Sequence, residues 1–176
     1  PGANFYLRDL HSLRRFKDQT GLKAEFFPDF FIYCPSKETD RCRAAKKLLA
    51  EARTGGKTAI GLNFSEHAFR SFSDIHDSAH REKYVADVLA TLCPMVQDPY
   101  FLLISSDTRC WENFPSDSDY QKIAHEWLKT NGHESCTSLL DPLITYPEVL
   151  NLLDGLDMVI SGRMHLALAA FRNHVI

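Results

Sequence analysis

Short apolar runs alternate along this chain with longer segments whose apolar residues recur at helical spacing, and that alternation restricts the fold more than any other feature. The runs fall at residues 4–7, 24–27, 30–33, 57–63, 100–105 and 158–161; the helix-period segments fall at 10–19, 39–53, 78–95, 119–130, 146–153 and from 163 onward. The run from Tyr100 to Ser105 has no polar alternation, as in a strand buried on both faces. Strands that alternate with helices form a parallel sheet covered on both sides. The expected fold class is therefore α/β, a Rossmann-like parallel sheet with helices on both faces.

Punctuation residues sharpen the boundaries. Asp9 is placed to cap the first helix and Gly21 to end it; Thr39 or Asp40 starts the second, and Gly55-Gly56 stops it. Pro147 sits in the first turn of the helix near residue 146, and Asn131-Gly132 closes the one before it. Pro28 forbids a continuous ladder between the apolar runs that flank it, and the Phe26-Phe27 and Phe30-Phe31 pairs there are expected in the core. With 176 residues and 44% apolar composition, the chain suits one domain, residues 1–176. It opens on Pro1-Gly2 and stops as a new apolar run begins at His174-Val175-Ile176, the pattern expected of a piece of a longer protein, cut at both ends.

A formal charge of −3 supplies no basic field, so nucleic acid is not favoured as a partner. No apolar run approaches the roughly 20 residues that span a bilayer, and no signal peptide is visible, so a cytoplasmic protein with no integral membrane segment is expected. The five cysteines are odd in number and scattered, with no CxxC pair, as for reduced, mostly buried thiols.

In a parallel α/β sheet the ligand crevice lies beyond the carboxyl ends of the strands. Arg8, Asn63, Ser105, Asp107, Ser161 and Gly162 all fall at such ends, and Arg163 and His165 follow directly. The turn from Ser161 into the last helix is expected to combine helix-start backbone N–H groups, a forked cation and an imidazole that could move a proton. The plainer alternative is that Arg163 pairs with Asp157 or Glu148 and His165 is a satisfied core histidine. Asp98, Asp107, Asp117 and Asp119 read by default as solvated loop acids. His76 and His80 have the i, i+4 spacing of metal ligands, with Asp74 and Asp77 nearby, but the metalloprotease Glu is missing and Asp77 or Ser78 reads better as a cap, so no metal is expected.

Several of these segments resemble the elements of the polysaccharide pyruvyl transferase family. Arg8-Asp9-Leu10-His11-Ser12 is similar to its Arg-Asp-x-x-Ser element and Phe27-Pro28-Asp29 to the Pro-Asp that follows; Ala59-Ile60-Gly61-Leu62-Asn63 resembles its Asn-ended strand. Tyr146-Pro147-Glu148-Val149, Val159-Ile160-Ser161 and Arg163-Met164-His165 resemble its Pro-Glu-Val, Ile-Ser and Arg-Leu-His elements, in the same order. Arg172-Asn173-His174-Val175-Ile176 departs from the family's Gly-Val-Pro-Val-Ile run. The resemblance implies the C-terminal half of a two-domain transferase of the GT-B type. It implies transfer of a pyruvyl group from phosphoenolpyruvate to hydroxyls of a cell-surface polysaccharide or its lipid-linked precursor, forming a ketal, with no cofactor beyond that donor. Arg163 and His165 would be catalytic, and Arg8, Asn63, Ser105, Asp107, Ser161 and Gly162 would bind substrate. The alternatives are a GT-B glycosyltransferase using a nucleotide sugar, and a non-catalytic family member that binds a glycan or a protein.

Overall fold

The computed structural model describes residues 4–27, 33–65, 78–107 and 116–175. It divides into two compact units, residues 1–34 and 35–176. In the first, β1 (Tyr6–Leu7) and β2 (Glu25–Phe26) pair in parallel, joined by α1 (Leu10–Thr20). Asp9 caps α1 as expected: its carboxylate accepts the Ser12 N–H and hydroxyl, each at 2.7 Å. Gly21 ends the helix at φ 68°, a left-handed conformation that glycine adopts without strain. The expectation that Phe26 and Phe27 are core residues is corrected, since they are 49% and 48% exposed. A two-stranded ribbon and one helix do not supply enough layers to bury them. Phe30 and Phe31 lie outside the described residues.

The second unit carries the sheet. Its elements are α2 (Asp40–Thr54), β3 (Thr58–Asn63), α3 (Ser78–Leu92), β4 (Pro99–Leu103), α4 (Asp117–Leu128), β5 (Thr137–Leu139), α5 (Tyr146–Leu152), β6 (Met158–Ser161) and α6 (Met164–Arg172). The four strands are all parallel in the order β5-β4-β3-β6, with Ile60 beside Met158 on one side and beside Phe101 on the other. This is the α/β, helix-flanked parallel sheet that the alternation predicts. Ile60, Leu62, Phe101 and Leu103 enter the core that α3 and α4 close with Val85, Leu89, Tyr120, Ala124 and Leu128. Gly61, one residue out of phase, faces the other way, where a Cβ would lie 2.7 Å from Leu156. Leu156 follows Gly155, which packs on Leu49 of α2, so α2 lies on this second face.

Two helix starts on the second face share one acid. Glu148 of α5 accepts the N–H and hydroxyl of Thr145, each at 2.7 Å, while its other oxygen accepts the Thr39 hydroxyl at 2.7 Å and faces Arg41 Nε at 3.4 Å. Thr39 is the N-cap of α2 and Thr145 the N-cap of α5, so the carboxylate ties both helix ends together. Among the described residues no helix is long and apolar enough to cross a membrane. Cys34, Cys42, Cys93 and Cys136 are free thiols, but only Cys42 is buried, which corrects the expectation of mostly buried thiols; Cys110 lies outside the described residues.

Two measurements check this packing. Gly61→Ala forces a methyl against Leu156 and Ile104 and should lower stability by about 1–3 kcal/mol, seen as a lower urea midpoint. The Thr145 N–H, then the Thr145 and Thr39 hydroxyls, hold the Glu148 carboxyl down at about 2 against an ordinary value of 4.5. The unfolded chain therefore binds the proton first. The Glu148 contribution should be complete above that ordinary value and disappear as pH falls toward the native one, and Glu148→Gln should flatten the acid limb of stability against pH.

Candidate functional site

The strand order reverses at β3: β4 and β5 lie to one side of it and β6 to the other. Parallel sheets open a crevice at such a reversal, beyond the carboxyl ends of the strands. A cavity of about 160 Å³ opens there, lined by Asn63 at the end of β3 with Phe64 and Ser65 after it, by Ile160 and Ser161 at the end of β6 with Gly162 after it, and by Tyr84 of α3. Three of the predicted binding residues, Asn63, Ser161 and Gly162, thus share one cleft although the chain separates the first from the other two by most of the domain.

The backbone of this corner is held by its own polar groups. Gly162 N–H donates to the Asn63 carbonyl at 3.0 Å, extending the β3–β6 ladder by one bond. The Ser161 hydroxyl accepts the Arg163 N–H at 3.0 Å and lies 3.0 Å from the Arg163 carbonyl and 3.3 Å from Asn63 Oδ1. Arg163 has extended dihedrals and is the N-cap of α6, not its first helical residue, and its own side chain does not cap that end. The positive end of a nine-residue helix therefore begins directly after the cleft. His165, the second residue of α6, is half-buried, so it is not sealed in the apolar core.

The Arg163 guanidinium is 16% exposed and grips Asp117, through Nη2 at 2.7 Å and Nε at 3.1 Å to Oδ1. Neither Asp157 nor Glu148 is its partner. Asp157 is held by Arg53 Nη2 at 2.6 Å and by the Ala59 N–H at 2.8 Å, and Glu148 by the network on the other sheet face. Asp117 is fully buried, which corrects its reading as a solvated loop acid. Its Oδ2 also accepts Asn63 Nδ2 at 3.0 Å and the N–H groups of Ser106 and Asp107 at 3.2 and 3.1 Å. The Asp107 carboxylate, 17% exposed, stands 3.7 Å from Arg163 Nη2.

The remaining predicted residues are less directly placed. Ser105 is buried two residues after β4, and among the described residues its hydroxyl has no hydrogen-bond partner; it is not among the residues that line the cleft. Arg8 is exposed after β1 and belongs to the first unit. His80 is exposed on α3, while His76, Asp74 and Asp77 lie outside the described residues; among the described residues no cluster of three metal-ligating side chains forms. Asp117 is the residue that sequence reading missed as a functional partner. Its signal was the Ser116-x-x-Asp119 spacing: Asp119 reaches back to the Ser116 N–H and hydroxyl at 3.0 and 2.9 Å, so α4 starts at Asp117, two residues before the expected start.

The sequence matches no protein family, no curated protein and no solved structure. The chemistry of the site rests on its own geometry and on the order of its sequence elements.

Arg163→Ala leaves the Asp117 carboxylate buried without its cation. Breaking such a pair costs roughly 3–5 kcal/mol, and the Asn63 and backbone donors that remain on Asp117 put the expected loss near the lower bound. Removing both charges as Arg163→Met with Asp117→Leu should restore part of that loss, read as denaturant midpoints of the single and double variants.

Proposed function

We propose that this chain belongs to a pyruvyl transferase that moves the pyruvyl group of phosphoenolpyruvate onto two hydroxyls of a polysaccharide or its lipid-linked precursor. The observation that carries the reading is the convergence of separate sequence elements on one cleft at the sheet reversal. The Asn-ended strand supplies Asn63, the Ile-Ser element supplies Ser161, and the turn that follows supplies Gly162; Arg163 and His165 come next in the chain and are not among the residues that line the cavity. In the same proposal the second unit is the C-terminal lobe of a GT-B-like enzyme, the donor is bound in the crevice, and the reaction takes place in the cytoplasm, where phosphoenolpyruvate is made.

The chemistry makes particular demands. Phosphoenolpyruvate carries a phosphate and a carboxylate, and both need cationic or N–H donors in a partly dry site. The Arg163 guanidinium is such a donor, and the positive end of α6 begins beside it. One proton must reach the methylene carbon as a sugar hydroxyl adds to the neighbouring carbon. His165 gives that proton and recovers one from the adding hydroxyl. The C–O bond to phosphate then breaks as the second hydroxyl closes the ketal, and the proton of that hydroxyl leaves with hydrogen phosphate. No electron change is required. Asn63, Ser161 and Gly162 shape the cleft floor, and Asp107 stands beside Arg163.

One observation favours a second reading, a family member that holds a glycan without turning it over. The Arg163 charge is already matched by Asp117 at 2.7 Å, with Asp107 at 3.7 Å, which lowers its attraction for a further anion.

Phosphoenolpyruvate at 100 times its Kd should stabilise the full-length protein by about 2.7 kcal/mol and raise its melting temperature. Addition of a glycan diol should then release inorganic phosphate. His165→Gln should keep the thermal shift and slow phosphate release by about 10²- to 10⁴-fold. A thermal shift with nucleotide sugars and none with phosphoenolpyruvate would replace this reading with glycosyl transfer.

A further inference from the structure

We infer that Asp117 is the positioning residue of this cleft, setting the orientation of Arg163 toward an anionic ligand that Asp117 itself never touches; the inference rests on the functional reading above. Its carboxylate takes Nε and Nη2 of the guanidinium on one side and Asn63 Nδ2 with two backbone N–H groups on the other. A side chain held by Nε and one Nη cannot rotate about its last bonds without breaking both contacts, so its remaining edge points in one direction. Among the described residues the Nη1 group of Arg163 makes no hydrogen bond, which leaves that edge for a ligand.

Asp117 is itself immobile. It is fully buried at the first position of α4, its own N–H donates to the Asp107 carbonyl at 2.9 Å, and the Asp107 N–H returns a bond to its carboxylate. Asn63 links the same carboxylate to the cleft wall, because its amide also donates to the Ile104 carbonyl at 2.8 Å. The orientation of Arg163 is thus referenced to the ends of β3 and β4 through an acid on α4.

The substitution Asp117→Asn separates this role from two others by the sign of its effect. It keeps the shape and removes a negative charge near the anion, so electrostatics alone predicts tighter binding. A structural role predicts a lower melting temperature with an unchanged Kd in the folded protein. Positioning predicts weaker binding, about ten- to a hundredfold for loss of a charge-assisted pair.

The test is calorimetric titration of the full-length wild type, Asp117→Asn, Arg163→Lys and the double variant with phosphoenolpyruvate and, separately, inorganic phosphate, at a temperature where all are folded. The expected result is a weakened Kd in each single variant and no further loss in the double one, since both act through the same guanidinium. Equal or tighter binding by Asp117→Asn overturns the inference. If the wild type binds neither anion, the donor reading fails instead, and the Arg163 side-chain Nε–H resonance then decides. A slowly exchanging Nε–H that becomes averaged in Asp117→Asn upholds positioning, and one that stays fixed refutes it.

Discussion

The buried carboxylate of Asp117 is the point on which the carboxyl edge of the second unit's sheet depends. It joins four segments: the end of β3 through Asn63, the β4 exit through Ser106 and Asp107, the start of α4, and the turn into α6 through Arg163. Each donor removes part of the cost of keeping a charge away from water, and together they make burial tolerable. The same arrangement fixes the shape of the cleft, because Asn63 cannot move without giving up its bonds to Asp117 and to Ile104. A network of this kind is selected for specificity of arrangement more readily than for stability, since an apolar cluster of equal volume would hold the elements together as well.

The two faces of the sheet solve the problem of helix starts in parallel ways. On one, Asp117 stands at the beginning of α4 and is neutralised by an arginine from the β6–α6 turn. On the other, Glu148 stands at the beginning of α5, serves the caps of both α5 and α2, and meets Arg41 at 3.4 Å. Both acids gain from the positive end of their helix and from backbone N–H donors. The difference lies in what surrounds them: Glu148 ties two helices on the face away from the cleft's polar floor, whereas Asp117 reaches the sheet's carboxyl edge. The second position sets a cation beside the carboxyl ends of β3 and β6.

Much of the scaffold was legible because it follows local rules. Alternation gave the parallel sheet, the Asp9 cap and Gly21 gave the ends of α1, and Thr39 with Gly55-Gly56 gave α2. The strand–turn–helix at Met158 to Arg172 was legible too, except that Arg163 caps the helix and does not belong to it. The partner of Arg163 was not legible. Asp117 lies 46 residues away, and a pairing at that separation is decided by strand order, which alternation does not specify. Asp157 and Glu148 are nearer in sequence but point to other neighbours, Arg53 and the paired threonine caps. The burial of Phe26 and Phe27 failed for the opposite reason: their composition says core, but their unit has too few layers to make one.

The neutralised arginine changes what the site can be asked to do. A guanidinium 2.7 Å from a buried carboxylate has lost most of its long-range pull on an anion, so attraction at a distance is not its contribution. What it retains is geometry: a planar donor edge in a fixed place, beside the N-terminal end of α6 and a half-buried imidazole two residues on. Such a site discriminates by hydrogen-bond direction more than by charge, since a ligand gains only if its acceptors meet donors that do not move. Phosphate and carboxylate both carry acceptors on rigid frames, and both groups occur in phosphoenolpyruvate. Fixed donors, not net positive potential, are therefore the property that connects this corner of the fold to the proposed chemistry.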